Sequence, residues 1–428
     1  MSGGAYIAAK RQCEALNEAD VECAFLTIEH DWSLETSSYE TTTDSDNPKL
    51  KPMMRKYKFA DEFAQAYIEP NRSALSNSPF SIWRRNSETN DALLALLNNE
   101  GFTHVHFHYA PQLLNTKLLA QLKSDGIATF ITCHDMYYFT GGCHYSATCE
   151  RFQQNCNHCP QVSTDHHSLI SHGFWEKHSA FSQTHANFVF PSQWMHDSFR
   201  RSAIGMQIPV KQCHTIRNCI DQTTFSPARS VNIQALRERF NIPADDIVVM
   251  AGAVDNTERR KGFEQLKTVL LATSKKLREL KSSRKITLIT FGGSDQSKRI
   301  NTQSIRQLAL GSLSSIKVRD VMQCADVLLF TSSQDNYPNV VLEAIHCGTL
   351  VLATESGGTK ELLSDAPHRT INTGSIERDC LELAELLVAD DLPKWIRQAK
   401  VPSKSFLKNN SPRSVASTLS QVYQEALA

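Results

Sequence analysis

The chain has 428 residues, 41% hydrophobic and 21% charged, with 45 Lys plus Arg balancing 45 Asp plus Glu. That length exceeds one small core and suits two domains, and the balanced charge gives no field favouring nucleic acid. The longest apolar runs, such as 248–254, are too short to span a bilayer, and no secretory signal opens the sequence. Twelve cysteines without such a signal point to a reducing compartment. The expected location is cytoplasmic, with the inner face of a membrane as the alternative.

Strand-like runs alternate with helical stretches along most of the chain. Val21–Ile28, Val105–His108, Thr129–Thr132, Phe188–Pro191 and His214–Ile216 are the expected strands of the first half. Ile247–Ala251, Ile286–Phe291, Val327–Thr331 and Leu350–Ala353 are those of the second. Segments such as Ala92–Asn99 and Gln265–Lys275 have helix-forming composition between them. Such alternation predicts α/β domains with parallel sheets and crossover helices. Residues 31–56 are polar and weakly periodic and read as a long loop or insertion. The basic segment Lys49–Lys58 reads as a solvated loop, with peripheral membrane contact as the alternative. Turn residues cluster at 218–245, where the domain boundary is expected.

The stretch from Thr331 to Gly358 carries the most chemistry. Val327–Thr331 is a short continuous apolar run, as a strand buried on both faces requires. Pro338 suits a helix start, Val340, Val341, Ala344 and Ile345 recur at helical spacing, and Gly348 suits the stop. Asp335 therefore lies in a loop and Glu343 about a turn and a half into a helix. Both can reach the crevice at the carboxyl ends of parallel strands, although two solvated carboxylates beside an ordinary αβ unit would read the same way.

Several ordered blocks resemble the group 1 glycosyltransferases, the retaining enzymes often called family 4. They are GGAYIAAKRQCEAL near the start, HVHFHYAP, ITCHDMYYFTGGCHY, FVFPSQW, RNCIDQTTFSP, GAVDNTERRKGFEQL and DNYPNVVLEAIHCG. The HDMYYFTGGCHY segment is similar to a bacterial subgroup that builds exopolysaccharide and O-antigen, hence lipopolysaccharide. The resemblance implies a GT-B architecture of two Rossmann-like domains facing across a cleft. It places an acceptor-side domain at 1–220, a nucleotide-sugar domain at 221–405, and a C-terminal helix at 406–428 crossing back to the first domain. Gly3 and Gly4 resemble the glycine loop after the family's first strand. The usual strand before that loop is absent from the sequence, so either the start is truncated or the first sheet lacks a central strand.

The resemblance also implies roles. Lys261 and Arg260 would face the leaving diphosphate, Asp335 and His134 the donor sugar, and Glu343 the ribose hydroxyls. Backbone N–H groups near Asn339 and Val340 would approach sugar and diphosphate, with Gly357 and Gly358 turning below the pocket. Aspartate at 335 departs from the commonest family form, which has glutamate. The implied donor is a nucleoside-diphosphate sugar and the implied acceptor a glycolipid or oligosaccharide; no catalytic cofactor is expected. A non-catalytic, degenerate sugar-nucleotide binder is the alternative, and a nucleotide-sugar epimerase a more distant one. Separately, Cys143, Cys149, Cys156 and Cys159 lie within seventeen residues as C-x5-C-x6-C-x2-C. They read either as a structural zinc site or as reduced thiols packed in a loop over 141–160.

Overall fold

The computed structural model describes residues 3–31, 36–40, 56–58, 80–83, 90–111, 113–252, 258–292, 300–364 and 367–427. Lys49–Arg55, most of the basic segment, and residues 253–257 lie outside the described residues. The chain divides into two compact units, Met1–Cys219 with Pro412–Ala428, and Ile220–Ser411.

The second unit is built on six parallel strands. Their order is Ile305–Ala309, Ile286–Phe291, Ile247–Gly252, Val327–Phe330, Leu350–Thr354, Arg369–Ile371. Alternate residues of each central strand feed two cores. Val248, Met250, Leu328, Phe330, Val351 and Ala353 pack on one face, while Val249, Ala251, Val327, Leu329, Leu350 and Leu352 pack on the other. Helices cover both faces, which is why these strands read as unbroken apolar runs. The helix Phe263–Glu279 buries Leu266, Val269, Leu270, Thr273 and Leu277, the spacing of one helical face. Strand order reverses between Ile247–Gly252 and Val327–Phe330. A crevice opens at such a reversal because the flanking connections leave in opposite directions.

The first unit carries four parallel strands in chain order, His104–His108, Ala128–Thr132, Asn187–Phe190 and Cys213–Thr215. Ile131, Phe188 and Phe190 enter one core, and Phe130 and Val189 the other. The second core is closed by Ala15 and Leu16 of the helix Gly4–Glu18 and by Val415, Ala416, Leu419 and Val422 of the C-terminal helix Pro412–Leu427.

Two expectations about the N-terminal region are corrected. Val21–Leu26 is not a strand; the strand begins at Thr27 and runs to Asp31. The Asn17 amide takes the place of a ladder partner, donating to the Cys23 carbonyl at 2.9 Å and accepting from the Cys23 N–H at 2.9 Å. Residues 31–56 are not wholly loop. Thr36–Glu40 pairs antiparallel with Thr27–Asp31 and with Lys56–Lys58, which needs no long apolar run, only residues such as Thr and Tyr that suit a pleated surface. Gly3 leads directly into a helix. It is the N-cap of the first helix, its carbonyl accepting from Ile7, and Gly4 is the first helical residue.

Candidate active site

The loops that leave the two central strands of the second unit are sewn together. Ser333 N–H donates to the Arg260 carbonyl at 2.8 Å, and Thr331 Oγ1 donates to the Gly262 carbonyl at 2.8 Å. Gly262 has φ +72°, and a Cβ there would collide with the Thr331 carbonyl oxygen. Gly357 has φ +54°, and its Cβ would collide with the Asp335 carbonyl oxygen. The Gly358 N–H donates to that oxygen at 3.0 Å. Only glycine permits both the left-handed backbone and the contact. The 331–335 loop is thus held between two other backbones.

Asp335 sits at the centre of this arrangement, 7% exposed. Its Oδ2 accepts from Lys261 Nζ at 2.9 Å and from an Arg260 terminal nitrogen at 3.2 Å, and its Oδ1 accepts from the Asn336 N–H at 3.0 Å. Burial alone would push the Asp335 carboxyl upward, but Lys261 and Arg260 outweigh it and hold the group below the usual carboxylate range. Arg260 is also clamped from the other side, by Glu258 at 2.8 Å and the Gln334 carbonyl at 2.7 Å. Its side chain is 12% exposed against 26% for Lys261, so Lys261 is the cation better placed to meet an anion. Glu258 was not singled out from the sequence; its only signal is that it stands two positions before Arg260.

The helix Asn339–His346 follows, with buried Pro338 as its N-cap. Asn339 and Val340 open it half-buried, and Glu343 is 7% exposed in its second turn. Spacing did place Asp335 and Glu343 on one loop and its helix. It did not join Asp335 to Lys261, 74 positions away.

His134 and Asp135 follow the strand Ala128–Thr132 of the first unit. His134 Nε2 and His108 Nδ1 share a hydrogen bond of 2.9 Å. His106 packs against His108 in a tilted arrangement with ring centroids 4.3 Å apart, and bonds Tyr423 Oη and Thr132 Oγ1, each at 2.7 Å. Burial pushes all three imidazoles down, His106 to about 3, His134 to about 4 and His108 well below its usual value. All three are neutral at pH 7, so one imidazole donates to the other. Asp135 instead bonds His144 Nδ1 at 2.7 Å and the Tyr137 N–H at 2.9 Å, and His144 Nε2 meets Ser81 Oγ at 2.9 Å. This Asp135–His144–Ser81 chain and the His108 contact were not anticipated. No sequence spacing joins Ser81 to His144, 63 positions away.

Among the described residues no helix is long and apolar enough to cross a membrane. Residues 245–400 match the family described as Glycosyl transferases group 1. The chain is 26% identical over 343 residues to the putative colanic acid biosynthesis glycosyl transferase WcaC of Escherichia coli (strain K12), covering 74% of this chain and 75% of that protein. Among solved structures it is similar to sucrose-phosphate synthase from Thermosynechococcus elongatus, with a TM-score of 0.56, 17% identity, and coverage of 78% of this chain and 76% of that one. It is also similar to the catalytic domain of starch synthase IV from Arabidopsis thaliana bound to ADP and acarbose, at 0.56 and 15%, covering 92% and 85%. Anabaena HepE in complex with UDP and glucose matches at 0.54 and 13%, covering 79% and 83%. The chain therefore has the fold of the GT-B glycosyltransferases, and its residues 245–400 are similar to the group 1 glycosyltransferases.

Proposed function

We propose that this enzyme is a retaining, family 4 hexosyltransferase that moves sugar from a nucleoside-diphosphate donor to a lipid-linked or polysaccharide acceptor. Its place would be in surface polysaccharide biosynthesis of the colanic acid type. One observation carries the reading: the Asp335 carboxylate bridges Arg260 and Lys261 where the two central strands end and strand order reverses. The family match over that segment, the name of the WcaC relative and the UDP and glucose held by HepE support it.

Breaking the anomeric C–O bond places negative charge on the leaving diphosphate. Cations aimed there lower the barrier by stabilising that charge more than the bound substrate. With both charges already matched by Asp335 and Glu258, donor binding would exchange the Lys261–Asp335 contact for a Lys261–phosphate contact. The Asp335 oxygens would then turn to sugar hydroxyls, and Glu343 would accept from the ribose. His134 takes the donor sugar as its assignment by resemblance. No side chain is named as nucleophile. The acceptor oxygen would bond to the anomeric carbon on the face the diphosphate leaves, and its proton would pass to the departing phosphate oxygen. Aspartate at 335 is one methylene shorter than the commoner glutamate, so the donor sugar must be found by trial.

Calorimetric binding of UDP-, GDP- and dTDP-sugars, with release of free nucleotide followed in parallel, tests the proposal. One donor should bind and be turned over slowly without acceptor and faster with acceptor lipid extract. NMR of the product should show the donor's anomeric configuration. Binding with no release under any condition would make the chain a sugar-nucleotide binder. Inverted product would remove the retaining assignment alone.

A further inference from the structure

A second cluster in the first unit stands apart from donor chemistry. Cys143, Cys149, Cys156 and Cys159 line one small cavity, together with Gly141 and Arg151. Three of the thiols are buried, Cys149 is half-buried, and none is in a disulfide. The segment that carries them has little regular structure beyond one 3-10 turn at Arg151–Gln153. The segment is packed into the first unit's core through Cys143, Phe152, Cys156 and Cys159.

Two contacts tie the cluster to its surroundings. The Gly141 N–H donates to Cys156 Sγ at 3.0 Å, which fixes one sulfur against the backbone at the cavity wall. Behind the cluster, Lys177 is 0% exposed. Its ammonium donates to the Tyr137 carbonyl at 2.6 Å and lies 4.3 Å from the Tyr137 ring centre, and no carboxylate bonds it among the described residues. Four thiolates around a divalent ion carry a net charge of about −2, and Lys177 would offset one of those charges.

We propose that Cys143, Cys149, Cys156 and Cys159 bind one structural zinc ion, which fixes the 140–162 segment against the strand end bearing His134 and Asp135. Sulfur ligands select a soft, tetrahedral d10 ion over magnesium or calcium. Binding releases the four thiol protons to solvent. Among the described residues no three such side chains already stand in a metal-holding arrangement, so binding would require the sulfurs to turn about their Cα–Cβ bonds. The path to the functional strand end is short. Cys143 precedes His144, which holds Asp135 at 2.7 Å, and Asp135 adjoins His134. Zinc binding is independent of which donor the second unit takes.

The test is metal analysis of the full chain purified without chelator. About one zinc per chain should survive gel filtration, and thiol titration with an organomercurial should release it as these thiols react. Cys143→Ser and Cys156→Ser should each reduce bound zinc to about a tenth or less, whereas Cys23→Ala should leave it unchanged. Should the serine variants fail to fold, cobalt loading of the unaltered chain serves instead, and should give the charge-transfer and ligand-field bands of a tetrahedral thiolate site. The proposal is overturned by a folded chain with no bound zinc whose thiols titrate freely. Zinc retained in both serine variants, or cysteines oxidised in pairs, would overturn it equally.

Discussion

In the second unit, the polar side chains at the strand ends are charged and cross-paired, with Asp335 and Glu258 around Arg260 and Lys261. In the first unit they include three histidines held neutral and bonded to one another and to hydroxyls. Both units use parallel strands covered on two faces, yet the strand order reverses in the second and runs in one direction across the four described parallel strands of the first. The contrast separates two kinds of site. Charged pairs can be exchanged for a charged ligand at little cost, since one ionic partner replaces another. A neutral imidazole pair can hold a hydroxyl-rich ligand in place but adds little to the stabilisation of a leaving diphosphate.

Substitution should break this contrast first at Lys261. Lys261→Ala should lower kcat/KM for transfer by about a hundred- to a thousandfold, about 3–4 kcal/mol of barrier, with the thermal unfolding midpoint nearly unchanged. Activity within tenfold of the parent would remove Lys261 from the diphosphate site. A smaller loss, of stability rather than chemistry, is expected for Gly357→Ala. Its left-handed φ and the blocked space beside the Asp335 carbonyl should cost about 2 kcal/mol or more, read as a lower denaturant midpoint. An unchanged midpoint would mean that the turn relaxes freely.

Acid should separate the units further. The histidine pKa values are depressed in the folded chain, so their contribution is fully present above the unfolded value of about 6.5 and is lost as pH falls toward their folded values. Asp335 is also depressed, but from a carboxylate value, so its contribution persists until pH falls below about 4. Hydrogen-exchange protection, corrected for intrinsic rates, should therefore weaken in the first unit between about pH 6.5 and 4 while the second holds. Loss in the second unit first would contradict the assignment. The smallest effect is expected at Asn17→Ala, about 1 kcal/mol from losing both bonds to Cys23, measured by urea unfolding.

Legibility followed burial. Val327–Phe330 and Leu350–Thr354 are buried at every position, and their apolar runs announced them. Ile305–Ala309 and Arg369–Ile371 are edge strands, only partly buried, and their mixed composition concealed them. Val21–Leu26 misled in the opposite direction, because an apolar run does not reveal whether a neighbour is there to pair with it. At the candidate site, Asp335, Glu343 and Lys261 could be named from local motifs. Contacts between distant segments could not: Lys261 with Asp335, His108 with His134, and Ser81 with His144 all depend on which strand ends the fold brings together.

The two glycine contacts also limit how this enzyme could be redesigned. Because Gly262 and Gly357 press backbone against the loop from Thr331 to Asp335 with no side chain between, the track of that loop is not a variable open to libraries. Diversity aimed at a new donor belongs instead at exposed Ser333 and half-buried Gln334, where side chains can change while the main chain keeps its course.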